Sequence, residues 1–359
     1  MNFEKDYNLI HDADQIAIFS YYGSEYSRAG VYLSPRVQRS NKQMFFQVPR
    51  GMFKSMGYLA KVLRELKSSR FRIVVISQSH LLVLIVRLLT RKQVTLDAGW
   101  SLTEAELARW RNIRSLPRLV KIYLIDFIAF KLANKIILES SNQTRYISRI
   151  FFVRRKKLFT LFTGFDESSF KDQGSRPREF KGLEISNKSI VLFRGSYTKE
   201  SGLELIAELS FIEKDTSIIY VIACNNLPAS LVFGENAVVV ARRISNSEMK
   251  FLYENATVCI GQISARPRLR NTIPHKAFEA GYFAKPYVSA DGAAIKELYS
   301  EAECIYLDEV SSKSLRVAIA RVKGSHSLRV RLSENIQKNY QHFASQDLLV
   351  EKFNSIIAV

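Results

Sequence analysis

Pro274-His275-Lys276 opens a stretch with helical spacing that runs to Tyr282. Proline suits the first turn of a helix, where its missing N–H would be unpaired anyway, and the neighbouring free N–H groups can then face an anion such as a phosphate. On such a helix Lys276 and Glu279 are three residues apart and His275 and Glu279 four apart, so all three approach one face near its N-terminal end. Taken alone, a Lys-x-x-Glu is an ordinary solvated intrahelical pair, and a lone histidine is an ordinary surface or core residue. Placement between the apolar run Thr257 to Gly261 and the turn at Lys285-Pro286 argues instead for a ligand role. Arg266, Arg268 and Arg270 crowd the loop just before Pro274. Guanidinium grips phosphate in a bidentate fork, so these arginines form either a diphosphate cradle or an exposed basic loop. Arg194 and Lys199 flank a turn at Gly195-Ser196 and offer further positive charge.

Those residues need elements to hold them, and the chain supplies an alternating series. Short β-branched runs at Gln15 to Ser20, Met44 to Val48, Phe71 to Ser77, Gln93 to Leu96, Lys135 to Leu138 and Leu158 to Leu161 read as strands. Helical spacing separates them at Met52 to Leu66, Leu81 to Leu89, Val120 to Leu132 and Asn142 to Phe151. After a polar, charged stretch a second series begins. Its strands are Ile190 to Phe193, Ser217 to Ala223, Ala237 to Ala241, Thr257 to Gly261, Pro286 to Val288 and Glu303 to Tyr306. Its helices include Leu203 to Leu209, Ser247 to Tyr253, Pro274 to Tyr282, Ala293 to Leu298 and Leu315 to Val322, and a basic amphipathic helical run from about Leu328 to Ile357 closes the chain. Strand–helix alternation at this spacing predicts parallel sheets covered on both faces, with ligands beyond the carboxyl ends of the strands.

At 359 residues the chain exceeds what one core usually serves. The predicted organisation is a Rossmann-like domain over 1–168, a linker over 169–189, a second such domain over 190–335, and a C-terminal helix over 336–359 packing back toward the first domain. This is the GT-B plan: two Rossmann-like doubly wound α/β domains facing each other across a cleft.

Residues 190 to 310 resemble the donor-binding domain of the retaining family four glycosyltransferases, element by element. Three segments carry the likeness: Ile190 to Gly195 followed by Ser201-Gly202-Leu203; Ala237 to Ile244 followed by Ser247-Glu248-Met249 and Leu252-Tyr253; and Asn271 to Gly281 followed by Lys285-Pro286, Ser289 and Asp291-Gly292. In the first half, strand order and Thr163-Gly164-Phe165-Asp166 match more weakly. The resemblance implies that Glu279 holds the two ribose hydroxyls of the donor, with Gly195, Ser196, Pro274, His275 and Lys276 around the nucleotide and diphosphate. The family places a carboxylate eight residues before the ribose ligand; here that position is Asn271, which can contact a sugar hydroxyl but carries no charge. The family's Arg and Lys clamps on the diphosphate fall at Ser196 and Ser201. Leaving-group stabilisation needs positive charge, so Arg194 and Lys199 are the substitute catalytic candidates beside Asn271, with Arg268 and Arg270 on the diphosphate. Retention, one-face reaction assisted by the leaving phosphate, and independence from metal all follow from the resemblance. No cofactor beyond the donor substrate is expected.

The rest of the sequence bounds the class. Net charge is +19, which attracts polyanions, anionic lipid or phosphorylated substrates. No acidic residue stands between Glu106 and Asp126, a stretch with Arg109, Arg111, Arg114, Arg118 and Lys121, and this region, Trp110 to Lys121 especially, could rest on an anionic membrane surface. No nucleic-acid motif is present. The three cysteines stand singly, the N-terminus lacks a secretory pattern, and the apolar runs are too short to span a bilayer, so a cytoplasmic protein is expected. Asp12-Ala13-Asp14 has the form of a metal-binding Asp-x-Asp but precedes the first strand, where chance explains it. Gly23 and Gly30 bracket the first loop, and Asp97 ends a strand where an acceptor would approach. The anticipated partners are a nucleotide sugar and a saccharide or lipid-linked acceptor, as in bacterial polysaccharide or lipopolysaccharide synthesis. A nucleotide-sugar epimerase of the same architecture, or a sugar-nucleotide-binding protein with impaired catalysis, is the alternative.

Overall fold

The computed structural model describes residues 15–23, 27–32, 43–66, 71–109, 112–171 and 188–358. Asp12 to Asp14, Trp110, Arg111 and most of the 169–189 linker lie outside them. The chain clusters into two compact units: 1–139, 144–161 and 350–359 form one, and 140–143 with 162–349 form the other.

The first unit is built on a six-stranded sheet of order β2-β1-β3-β4-β5-β6, every neighbouring pair parallel. The strands are β1 (Gln15–Ser20), β2 (Gln43–Gln47), β3 (Phe71–Ile76), β4 (Val94–Gly99), β5 (Lys135–Leu138) and β6 (Leu158–Thr160). Its helices are α1 (Ser27–Tyr32), α2 (Met52–Glu65), α3 (His80–Leu89), α4 (Leu102–Arg109), α5 (Leu116–Leu132) and α6 (Ser141–Ile150). α4 is absent from the sequence reading, which also started α5 at Val120; Pro117 in the first turn of α5 marks the true start. Asp97 is not an acceptor contact. It is fully buried, accepts from Arg28 Nε at 3.0 Å and pairs with the same guanidinium at 2.7 Å, so it neutralises a buried arginine inside the unit.

The second unit carries β7 (Ser189–Arg194), β8 (Ile218–Ala223), β9 (Ala237–Val240), β10 (Ala256–Ile260), β11 (Tyr287–Ala290) and β12 (Cys304–Leu307), again all parallel, in the order β12-β11-β10-β7-β8-β9. Period-two alternation puts Ile190 and Leu192 of β7 in one core and Val191 and Phe193 in the other, on opposite faces of the sheet. The covering helices are α7 (Ser168–Lys171), α8 (Leu203–Ile212), α9 (Asn246–Asn255), α10 (His275–Tyr282), α11 (Ile295–Leu298), α12 (Ser312–Gly324), α13 (His326–Phe343) and α14 (Gln346–Ala358), whose residues from Val350 onward cluster with the first unit. A capping box between Ser245 and Glu248 starts α9. The closing stretch read as one helical run is thus two helices, broken at Ala344. Among the described residues no helix is long and apolar enough to cross a membrane.

The strand order of the second unit decides where a ligand can sit. Connections leave β7 toward β8 and β9 on one side, while β10, β11 and β12 lie on the other, so the winding reverses between β7 and β10. Ligands of doubly wound sheets bind outside the carboxyl ends of the strands at that reversal, which here means the loops after Arg194 and after Ile260.

Candidate functional site at the strand reversal

Arg194 is the last residue of β7, and the chain leaves it through Gly195, whose φ of +139° favours glycine over any side chain. The turn at Gly202, also left-handed at φ +67°, starts α8 beneath the loop that follows β10: a Cβ there would collide with the Ile263 carbonyl. The two glycines therefore let the β7 and β10 loops close on each other.

α10 delivers the polar side chains. Pro274 is its N-cap, with extended backbone at φ −62° and ψ 134°, so it stands one position before the first turn in which the sequence placed it. Lys276 is buried, its Nζ lying 3.4 Å from the centre of the Phe193 ring and 3.5 Å from the Gly261 carbonyl. A Cβ on Gly195 would sit 3.5 Å from Lys276 Cε and 3.6 Å from Nζ, so the ammonium packs directly against the glycine turn. Burial pushes its pKa down to about 7; Glu279 opposes the fall and Arg194 adds to it.

Glu279 is fully buried, and both of its oxygens are occupied. Oε1 accepts from Arg194 and from His275 Nδ1 at 3.0 Å, and Oε2 accepts from the Tyr253 hydroxyl at 2.5 Å. Burial raises the carboxyl pKa, but Arg194, His275 and Tyr253 outweigh it and hold the group at about 2, an anion at neutral pH. Tyr253, lifted well above its usual range by burial first and by the neighbouring carboxylate second, remains a neutral donor.

Glu279, expected to hold the two ribose hydroxyls of a donor, is buried with both oxygens already bonded to protein groups. Its carboxylate serves three protein donors, and His275, with 34% of its side chain exposed, is the outermost of the contacts. The other expectations divide. Arg194, Gly195, His275, Lys276 and Glu279 come together at the reversal point. Ser196 and Lys199 are exposed on the loop beyond Gly195, and Arg266 and Arg270 are exposed on the loop before α10, while Arg268 is half-buried in the short turn Pro267–Arg270. After burial, the charges acting most on Lys276 are Glu279 and Arg194, not these loop cations. Asn271 is half-buried; its N–H donates to the Arg268 carbonyl at 3.0 Å, and its own carbonyl accepts from the Ser140 hydroxyl at 2.6 Å.

Two residues of the cluster escaped sequence reasoning. Phe193 reads as an ordinary strand residue, and no local signal marks the ring as the floor under Lys276. Tyr253 lies 26 positions before the carboxylate it serves. Its only trace in the sequence is a tyrosine on the apolar face of α9, beside the buried Met249 and Leu252.

No protein-family model matches the sequence, and no curated protein is similar to it in sequence. Solved structures do share the fold. Sucrose-phosphate synthase from Thermosynechococcus elongatus is 12% identical with a TM-score of 0.73, covering 96% of this chain and 98% of that one. HepE of Anabaena, solved in complex with UDP-glucose, is 12% identical with a TM-score of 0.69 over 96% of this chain and 99% of its own. A Listeria monocytogenes protein assigned as a UDP-N-acetylglucosamine 2-epimerase is 8% identical with a TM-score of 0.60 over 96% of both. The chain has the GT-B fold, with two doubly wound α/β units each built on a parallel six-stranded sheet.

Proposed function

We propose that the chain is a glycosyltransferase that takes a nucleotide diphosphate sugar at the carboxyl ends of β7 and β10 and transfers the sugar to a saccharide or lipid-linked hydroxyl. The observation that carries this reading is the buried Lys276 ammonium packed against the Gly195 turn, at the point where the strand order reverses. A glycine turn lets a diphosphate approach backbone closely, and a cation held in a low-dielectric pocket is worth far more to a developing phosphate charge than one in solvent. The family's clamp positions are the exposed Ser196 and the buried Ser201; in this reading Lys276 and the partly exposed Arg194 replace them. Arg194 is kept in place by Glu279, which makes the carboxylate a positioning group for the guanidinium as well as a candidate for the ribose. Asn271 supplies a neutral contact to the donor sugar. No side chain is assigned as a nucleophile: as the family resemblance implies, the reaction retains configuration without metal, and the departing phosphate assists the acceptor hydroxyl. A role in polysaccharide or lipopolysaccharide assembly fits a lipid-linked acceptor.

Calorimetry with UDP, GDP and ADP sugars tests the reading. One of them is expected to bind, and Lys276→Met is expected to weaken it. Failure of all three to bind the folded protein would remove the proposal. The likeness to the epimerase favours one rival, which differs in needing no acceptor. Turnover of donor alone into its epimer would select the rival.

A further inference from the structure

α5 is apolar on nearly every side, as LPRLVKIYLIDFIAFKL shows, yet only Asp126, Ala129 and Phe130 of its residues are buried. A helix of that composition normally lies inside a core. Here Leu116, Val120, Leu124 and Ile128 follow one another at intervals of four along a single line, with 39%, 48%, 49% and 37% of their surfaces exposed. Between this line and Leu81 and Leu84 of α3 lies a cavity of about 350 Å³, open to solvent and almost wholly apolar. At the start of the line stand exposed Ile113, Arg114, Arg118 and Lys121. Past its end the turn after α6 holds out Phe152, one of the most exposed large apolar residues, at a left-handed φ of +51°. Lys131 of α5 donates to the Phe152 carbonyl at 2.7 Å, tying that turn to the helix end. Around it Lys131, Arg154, Lys156 and Arg87 stand close enough to Lys157 that, after burial, they help depress its pKa. Like charges gathered so densely destabilise one another unless an anion joins them.

We propose that this face, comprising α3, α5 and the turn after α6, docks on a lipid leaflet that contains anionic headgroups. An apolar line bounded at both ends by cations is the pattern of a helix lying in the plane of a membrane interface: the side chains enter the acyl boundary while the cations meet phosphate. The cavity between α3 and α5 receives the chain ends beneath that boundary. Charge selects this occupant over a neutral apolar partner. No acidic residue occurs between Glu106 and Asp126, and Asp126 itself is turned inward onto Ser101, Thr103 and His80. The inference stands apart from the transferase reading and uses none of its residues.

Flotation of the full chain with vesicles of phosphatidylcholine, with and without phosphatidylglycerol, tests it. The protein is expected to float with the anionic vesicles only, and less so at high salt. Two pairs of substitutions at exposed positions separate the contributions. Arg154→Gln with Lys156→Gln removes two cations, each worth about fivefold in partitioning, for a loss of about 25-fold. Val120→Gln with Leu124→Gln should lower partitioning by at least about tenfold while leaving the cations in place. Equal flotation with both vesicle types, or none with either, would overturn the proposal. So would loss on the cation pair alone, which leaves a mere polyanion patch, or a dimer in sedimentation that the apolar pair dissociates, which makes a second copy the occupant. Nucleotide-sugar binding should be the same in both variants, so its absence from the wild type would count against the donor site and not against this face.

Discussion

If the donor diphosphate docks beside the buried Lys276, whose pKa burial lowers to about 7, its binding is a proton-coupled event. In the empty site Lys276 is about half protonated at pH 7, because burial opposes its charge, and Glu279 only partly restores it. A diphosphate beside Nζ favours the charged form and raises the pKa, so binding draws in a proton wherever the free lysine is deprotonated and the bound one is not. The sign follows. Affinity is level below pH 7 and falls above it, approaching tenfold per pH unit until the bound-state pKa is reached. Between pH 6 and 8.5 the protonated fraction of the free lysine drops from about 0.9 to about 0.03, which predicts a loss of about 30-fold in affinity. Whichever nucleotide diphosphate sugar binds suits the assay, because its diphosphate is esterified at both ends and does not titrate in this range. Calorimetry in two buffers of different ionisation enthalpy should show uptake of about half a proton at pH 7 and about 0.9 at pH 8. The groups facing Lys276 are Glu279 on its own helix, Arg194 on β7, Cys224 after β8 and Cys259 on β10, whose thiol burial pushes far up. His275 bonds to Glu279 beside the lysine, so His275→Gln serves as the control and should keep the slope. Lys276→Met should flatten the profile and weaken binding at pH 6 by about 10- to 100-fold, the usual worth of a charged hydrogen bond. A flat profile in the wild type, or an unchanged slope in Lys276→Met, would refute the placement of the diphosphate beside this ammonium.

Other perturbations read the supporting structure. Glu279→Gln strands Arg194 and is expected to cost about 3 kcal/mol at pH 7 by chemical denaturation. Because the folded pKa of Glu279 is depressed to about 2, that stabilisation is present above the ordinary carboxyl range and fades as pH falls through it toward 2, so wild type and variant should converge in acid. Gly202→Ala combines a left-handed φ with a Cβ driven into the Ile263 carbonyl; a melting temperature equal to the wild type would show that the two loops are not locked there. In the first unit Arg28→Met leaves Asp97 buried without its cation and should destabilise by about 3 kcal/mol, with Asp97→Asn in the same chain recovering part of the loss.

The strands were legible because parallel sheets covered on both faces demand unbroken β-branched runs, and QIAIFS, FRIVVI, SIVLFR and IIYVIA are such runs. α4 was not legible: its residues LTEAELAR show no clean apolar stripe, and its buried positions include Thr103, Glu104 and Glu106. At the site, helical spacing announced that His275 and Glu279 would meet, and they do. It also suggested that Lys276 would join them, and there the reasoning lacked a needed fact. Lys276 turns toward the end of β7 because β7 lies beside β10 in the sheet, and that adjacency is a property of strand order. The same order brings Arg194 to Glu279 across 85 positions. Strand order is fixed by the packing of whole layers, so no window of sequence around either residue contains it.

In the proposed reading Lys276 stands in for a clamp cation on the exposed loop. An arginine or lysine on the loop beyond Gly195 would be solvated and charged at every relevant pH, whether or not a ligand were present. Moving the cation to position 276 places it under the turn, between the Phe193 ring and the Gly261 carbonyl, where its charge is costly until an anion arrives. If a diphosphate docks there as proposed, the site gains full positive charge on binding, and a neutral molecule of similar shape draws no such charge. Discrimination between anionic and neutral ligands is therefore built into the burial of one side chain, and part of the binding free energy is spent on protonating it. Arg194 cannot share that behaviour: held by Glu279, its guanidinium is raised further from titration and remains a permanent charge. On the proposed reading, one fixed and one conditional cation at the same turn would give the site affinity for phosphate together with a dependence on pH that an exposed clamp at position 196 would lack.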